Sequence, residues 1–243
     1  KYGQEIDPEQ LEVAKDNLVN FTGYAGNTLE DDGFADKQFD LILANPPFSI
    51  KWEQQDIDKY NKAGRLPPKS KADYAFLLHI LDKLTDNGTA ITLNFPGILY
   101  RGNSEVVIRK WLVDMNYIDK IVHIPGDTFV DTKIATALVI LKKNRGRELV
   151  TFVDTSLDIV REVTLEEIVG NDYNLSVSAY IQNEVETVAV DPVALEKLAR
   201  DGMAKRLRAD IEISKMIAKI EGWDFDSYII QLQGILDEHK ERV

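Results

Sequence analysis

A near-continuous apolar run, Phe39–Ala44, ends abruptly at Asn45-Pro46-Pro47-Phe48. Proline has no N–H to offer a neighbouring strand, so two in succession stop sheet pairing there. A short apolar run with such a stop reads as a buried parallel strand with Asn45 at its carboxyl end. A strand of that kind needs helices on both faces of its sheet, which restricts the chain to α/β architectures. It also singles out one loop, because ligands of open α/β sheets bind just outside the carboxyl ends of the strands.

The remaining patterns fit that reading. Gly3-Gln4-Glu5-Ile6-Asp7 ends a strand, and Asp7-Pro8 opens a helix with Asp7 as N-cap and Pro8 at the first helical position. A weak strand follows at 21–25. Helical spacing covers 72–84 and is expected to stop at Asn87-Gly88; residues 89–95 form the next strand, ended by Pro96-Gly97. Ser104 is expected to cap a helix reaching Met115. Strands at 118–124 and 135–142, joined through the turn residues Pro125-Gly126-Asp127, form an antiparallel pair at the sheet edge. Short strands at 149–153 and 159–163 and a short helix at 165–169 come next. From Asp191 the chain is helical, with Leu195, Leu198, Leu207, Ile211, Ile217 and Ile220 on an imperfect stripe broken at Gly222-Trp223-Asp224. The expected divisions are 1–148, a partial catalytic domain; 149–190, a small α+β extension; and 191–243, a helical tail.

Composition removes several function classes. With no cysteine and with His79, His123 and His239 far apart, neither a disulfide nor a metal site is expected, and the cytoplasm is the expected location. No apolar run approaches the ~20 residues of a membrane span, and Lys1-Tyr2-Gly3-Gln4-Glu5 does not resemble a signal peptide. The net charge of −12 opposes direct binding of a polyanion. Yet Lys59, Lys62, Arg65, Lys69 and Lys71 gather directly after Phe48, either as a solvated surface or as phosphate contacts.

The Asn-Pro-Pro-Phe tetrapeptide has a chemical logic. An aromatic amine is a poor nucleophile because its lone pair is delocalised into the ring. Two acceptors bonded to its two protons pull the nitrogen toward tetrahedral geometry and localise that pair. The Asn45 side-chain carbonyl is one acceptor, and the Pro46 carbonyl, held in direction by proline's fixed φ, is the other. Phe48 offers a face on which an extruded base can stack. With Pro47, these residues make up the candidate catalytic set Asn45, Pro46, Pro47 and Phe48.

This loop resembles the NPP(F/Y/W) motif of amino-methyltransferases that use S-adenosyl-L-methionine. The resemblance narrows to the modification subunit of type I restriction–modification systems over residues 1–182. It is carried by Gly3-Gln4-Glu5-Ile6 before a Pro-initiated helix, Gly26-Asn27-Thr28-Leu29, Phe39-Asp40, and Asp73-Tyr74-Ala75-Phe76 with His79. It continues through Pro96 to Gly102, Arg109, Ile124-Pro125, Phe129, Thr132-Lys133-Ile134, Asn174-Leu175 and Tyr180-Ile181. It implies a Rossmann-like class I methyltransferase sheet, truncated at its N-terminus, with a C-terminal helical extension. The implied reaction is adenine-N6 methylation of double-stranded DNA. The implied partners are a DNA-specificity subunit, a restriction (translocase) subunit and a second modification subunit.

The resemblance assigns Glu5 to the cofactor's ribose hydroxyls, Ile6 to its adenine, and Asn27 and Thr28 to the adjoining loop. Asn45 is placed against both the target amine and the cofactor. Family members have Asp where this chain has Asn27, an uncharged acceptor. The family's Gly-rich cofactor loop, and the strand before it, lie upstream of the position matching Lys1. That strand is central in the fold, so its absence is expected to leave two unpaired edges, at the strands ending in Glu5 and in Asn45. The chain by itself is therefore expected to bind the cofactor weakly. Two other readings stay open: methylation of a glutamine amide in protein by the same amine logic, and an inactive relative that binds partners through its tail.

Overall fold

In the computed structural model, which describes residues 1–129, 133–182 and 191–240, the first helix begins as its sequence demands. The Asp7 carboxylate accepts the Glu9 N–H at 2.9 Å and Pro8 is the first helical residue of α1 (Pro8–Asn17). This helix connects β1 (Tyr2–Glu5) to β2 (Thr22–Ala25), which pair in parallel as a separate two-stranded sheet. Leu11, the buried residue of α1, lies so close to Gly23 that a Cβ there would sit 2.8 Å from its Cδ1. Glycine at that place lets helix and strand meet.

The second sheet has six strands. In chain order they are β3 (Phe39–Ala44), β4 (Leu84–Asn94), β5 (Ile118–Ile124), β6 (Thr136–Lys142), β7 (Leu149–Asp154) and β8 (Ile159–Thr164); in space they run β3-β4-β6-β5-β7-β8. The β3–β4 and β5–β7 pairs are parallel, the others antiparallel. The helices between them are α2 (Asp58–Asn61), α3 (Asp73–Lys83) and α4 (Ser104–Asp114), and α5 (Leu165–Gly170) follows β8. Helix α3 is buried nearly all round, through Tyr74, Ala75, Leu77, Leu78, Ile80 and Leu81, and joins one core with residues of α4 and β4–β8. A helix with apolar residues on most of its circumference belongs inside, and this one is the centre of the body.

Several expectations need correction. Strand β3 is parallel but not buried: Leu41 is 59% and Leu43 70% exposed. Its one sheet neighbour among the described residues is β4, so its apolar side chains lack the cover that a second neighbour and its helix bring. Likewise β1 pairs with β2 alone, and the two sheets touch where the Tyr2 and Phe39 rings meet at 5.6 Å. The two open edges are those the resemblance implies around its central strand.

Helix α3 does not run on to Asn87-Gly88. Strand β4 starts at Leu84, and pairing jumps from Phe39↔Leu84 to Leu41↔Thr89, so the turn residues form a bulge instead. A Cβ on Gly88 would sit 2.9 Å from the Phe39 carbonyl oxygen, which is why glycine stands there. The cap of α4 is Asn103, at φ 57°, rather than Ser104. The β5–β6 pair is antiparallel as expected but interior, because β7 and β8 extend the sheet beyond β5. Residues 149–182 continue the same sheet and core; the remainder of that stretch, 183–190, lies outside the described residues, as does Thr132.

The tail forms its own unit. Helix α6 (Pro192–Glu221) is capped by Asp191, closes on Gly222 at φ 74°, and turns into α7 (Phe225–Lys240) through Asp224. Leu195, Leu198 and Leu236 are exposed, while Ile229 and Leu232 are half-buried.

Candidate active site

At the carboxyl end of β3 the backbone is held and the side chains are presented. Asn45 and Pro47 are exposed, Pro46 and Phe48 half-buried. Phe48 is therefore not swallowed by the core. Among the described residues the Asn45 carboxamide has no hydrogen-bond partner. Immediately beyond, Ser49 takes a left-handed conformation (φ 52°) and donates its N–H to Asp73 Oδ1 at 3.1 Å. The Ala72 N–H reaches back to the Ile50 carbonyl at 2.8 Å. Both anchors lie at the start of α3, so the most buried helix fixes the loop.

Asp73 is itself almost fully buried, inside a charge cluster. Arg101 approaches Asp73 Oδ2 at 3.6 Å, donates to Glu105 Oε1 at 3.2 Å, and reaches Ser49 Oγ at 3.5 Å. Arg109, also buried, donates to the carbonyls of Ile98, Arg101 and Tyr173. Two guanidinium groups thus balance two carboxylates, which is how such burial is tolerated. Burial raises the Glu105 carboxyl above its ordinary value against the pull of Arg101. Burial also pushes the Tyr74 hydroxyl, which donates to the Ile98 carbonyl, up to about 12.

The other candidates gather at the carboxyl ends of β1 and β2. Glu5 turns its Oε1 onto the N–H groups of Ile6 (2.8 Å) and Asp7 (3.2 Å), and Ile6 beside it is 67% exposed. Asn27 accepts the Leu29 N–H at 3.1 Å and donates to Glu30 at 2.8 Å, a side-chain turn. Thr28 is half-buried, with its hydroxyl 3.3 Å from Gln4 Oε1 and 3.3 Å from His79 Nε2. The pairing of β1 with β2 brings Glu5, Ile6, Asn27 and Thr28 together. The Asn45 loop belongs to the other sheet, and α3 links the two groups: Asp73 holds one loop and His79, six residues on, touches the other.

The basic segment divides. Lys59 is mostly buried, 3.5 Å from Asp32 and 3.3 Å from His79 Nδ1, and Lys62 pairs with Asp82 at 2.7 Å. Trp52 and Tyr60, both buried, meet edge to face at 5.1 Å and pin the segment down. Lys51, Arg65 and Lys69 stay exposed. Arg65 lines an open cavity of about 520 Å³ with Gln54, Asn61 and Ser104. The cluster of five cations is thus half structural.

Comparison with known proteins decides the family. The model of the N-6 DNA methylase family matches residues 1–162. The chain belongs to the N-6 DNA methylase family. The methylase subunit of type I restriction enzyme MpnII from Mycoplasma pneumoniae is 31% identical, over 93% of this chain and 51% of that protein. The HindI methylase subunit from Haemophilus influenzae is 27% identical, over 88% and 60%. The crystal structure of the type I restriction-modification methyltransferase subunit from Streptococcus thermophilus superposes with a TM-score of 0.70 at 33% identity, covering 74% of this chain and 48% of that one. The chain spans about half the length of the relatives it matches; its mixed α/β fold matches that methyltransferase structure, and its own C-terminal region is helical.

Within this family framework, reading the sequence missed the supports of the loops. Gln4, Asp73, His79 and Arg101 stand out only as parts of a resemblance, Lys59 only as one of a run of cations, and Lys83 not at all. One signal was available: three charged or polar residues, Asp73, His79 and Lys83, are buried on a helix whose other buried residues are aliphatic or aromatic, where a buried polar group needs a partner.

Proposed function

We propose that this chain is the target-base half of an adenine-N6 DNA methyltransferase, the modification subunit of a type I restriction–modification complex. The observation that carries this reading is the free Asn45 carboxamide on a loop whose backbone is fastened to α3. A group that must accept a hydrogen bond from a substrate amine has to be unengaged and held still, and Asn45 is both. The Asn45 and Pro46 carbonyls accept hydrogen bonds from the two amine N–H groups, and Phe48 stacks on the extruded adenine. S-adenosyl-L-methionine supplies the methyl group. The residues at the ends of β1 and β2 fit that cofactor: Glu5 has one oxygen held by two N–H groups and the other left to accept ribose hydroxyls, and Ile6 offers an exposed apolar surface to adenine.

The partners are double-stranded DNA, a specificity subunit that reads sequence, a restriction subunit and a second modification subunit. The net charge of −12 suits a subunit that leaves most phosphate contacts to others. The exposed Leu195, Leu198 and Leu236 on the tail suit an interface to the specificity subunit. The test is Asn45→Ala in the full-length protein, assayed for methyl transfer to adenine and for cofactor binding. Transfer is lost and binding stays; loss of both to the same degree would mean that the loop has merely collapsed.

A further inference from the structure

Thr28 is where the loop after β2 meets the interior, and a chain of four side chains fastens it. Lys59 Nζ lies 3.3 Å from His79 Nδ1, and Thr28 Oγ1 lies 3.3 Å from His79 Nε2. The Thr28 hydroxyl lies 3.3 Å from Gln4 Oε1, and Gln4 Nε2 donates to the carbonyls of Gly26 (3.2 Å) and Asp31 (2.6 Å). The directions follow from the chemistry of the ends. An ammonium only donates, so Nδ1 must be the unprotonated nitrogen and Nε2 must carry the hydrogen. That hydrogen goes to Thr28 Oγ1, whose own hydrogen goes to Gln4. One charge at Lys59 therefore sets every donor and acceptor as far as the loop backbone.

The surroundings keep the ring neutral. His79 sits in the middle of buried α3 with only 8% of its surface exposed. Facing it are Lys59 from α2, Asp32 from the loop, and Lys83 and Asp82 from its own helix. Lys83 and Asp32 are engaged with each other at 2.6 Å, and Lys83 also holds the carbonyls of Phe34 and Ala35. Burial first, and Lys59 next, lower the imidazole to about 4.

We propose that His79 is a positioning residue which holds the 26–31 loop in its cofactor-accepting shape, with Lys59, on the segment that follows the target-base loop, fixing the tautomer that lets it do so. This rests on the reading of that loop as part of the cofactor site. It also gives Lys59 a use other than phosphate contact, and it runs a physical connection from the 51–71 segment to the loop after β2.

The test is calorimetric titration of S-adenosylmethionine into the full-length protein and its variants, with thermal unfolding run alongside. His79→Leu, close in volume but unable to bond, loses about tenfold in affinity, the usual consequence of leaving one buried partner unpaired. His79→Gln, which can donate to Thr28 and accept from Lys59, stays within about threefold of the parent. Lys59→Met removes the second cause of the imidazole's lowering and frees Nδ1, so its cofactor affinity begins to fall with acid at a higher pH than the parent's; identical pH profiles would overturn the role of Lys59. Glu5→Ala separates the two levels of argument. If it and His79→Leu both bind like the parent, the cofactor reading of these loops fails and takes the proposal with it. If Glu5→Ala binds weakly and folded His79→Leu binds normally, the positioning role alone is wrong. Equal losses in His79→Leu and His79→Gln reduce His79 to a packing residue and overturn it too.

Discussion

The loop after β3 and the loop after β2 each begin at the carboxyl end of a parallel strand, yet they use their polar atoms in opposite ways. In the first, backbone groups make the anchors: Ser49 N–H to Asp73 and Ile50 carbonyl to the Ala72 N–H, while Asn45 is left unengaged. In the second, side chains make the anchors: Asn27 to Leu29 and Glu30, Thr28 to Gln4 and His79. Where side chains are free and backbone is fixed, the side chain is the proposed reagent. Where side chains are fixed, they serve as scaffold, and what the loop offers is its shape. The contrast predicts that substitutions in the two loops fail differently.

The largest effect belongs to Asn45. In the full-length protein Asn45→Ala should reduce methyl transfer by about 10²–10³-fold, the scale on which removing one positioned hydrogen-bonding group acts in an active site. Thr28→Ala should instead raise the cofactor's dissociation constant with little change in turnover at saturating cofactor. Equivalent kinetic profiles for the two variants would abolish the distinction.

Asp73 tests the scaffold under Asn45. Asp73→Ala removes the acceptor of the Ser49 N–H and leaves Arg101 with Glu105 as its one carboxylate. The expected loss of stability is about 3 kcal/mol, because an under-compensated charge stays buried. Asp73→Asn keeps the acceptor and should lose about half of that. Urea unfolding measures both; a smaller loss for Ala than for Asn would contradict the anchoring role.

Acid should act through the other loop. The His79 imidazole sits at about 4 in the folded protein, against about 6.5 when unfolded. Between those values the unfolded chain binds more protons, so the stability is whole above pH 6.5 and drains away as pH falls toward 4. The shift corresponds to about 3 kcal/mol, an order of magnitude only. His79→Gln should flatten that slope. A parent protein equally stable at pH 7 and at about pH 4.5 would show that the ring is not held neutral.

Much of the fold was legible, for a reason that also explains what was not. Asp7-Pro8, the apolar run before Asn45 and the break at Gly222 are local signals, each read from a few adjacent residues, and they mark α1, β3 and the α6–α7 turn where they occur. The sheet order is not local. Nothing in residues 135–142 says that β6 inserts between β4 and β5, because that depends on which strand wins the pairing. The site divides in the same way. Asn45 and Phe48 are visible from one tetrapeptide, whereas the contacts of Asp73 with Ser49 and of His79 with Thr28 span 24 and 51 residues. The exposure of Leu41 and Leu43 was hidden for a third reason: an apolar side chain records the partner it was selected to meet, not whether that partner is present.

Phe48 falls between the extremes. It is half-buried, so Phe48→Ala should cost little stability but weaken capture of the flipped base by about 1–3 kcal/mol. Fluorescence of a 2-aminopurine placed at the target adenine would read this directly. Unchanged capture together with a lowered melting temperature would make Phe48 a core residue and remove it from the site.

The smallest effect should sharpen the comparison most. Asn27 stands where the resemblance expects Asp, and its carboxamide does two things at once: Oδ1 accepts the Leu29 N–H and Nδ2 donates to Glu30. Asn27→Asp keeps the first bond, loses the second, and places two like charges three residues apart. On an exposed loop that costs a few tenths of a kcal/mol, vanishing in high salt. Adding Glu30→Gln restores a donor and removes the repulsion, so the double variant should regain the parent's melting temperature. Its cofactor affinity then isolates one question, since a carboxylate makes the stronger hydrogen bond to a ligand N–H. If the double variant binds S-adenosylmethionine several-fold more tightly than the parent, the Asn27 side chain faces the cofactor as well as holding the turn. If affinity does not move, the side chain is scaffold alone, and the division between a loop that presents side chains and one that presents shape is complete.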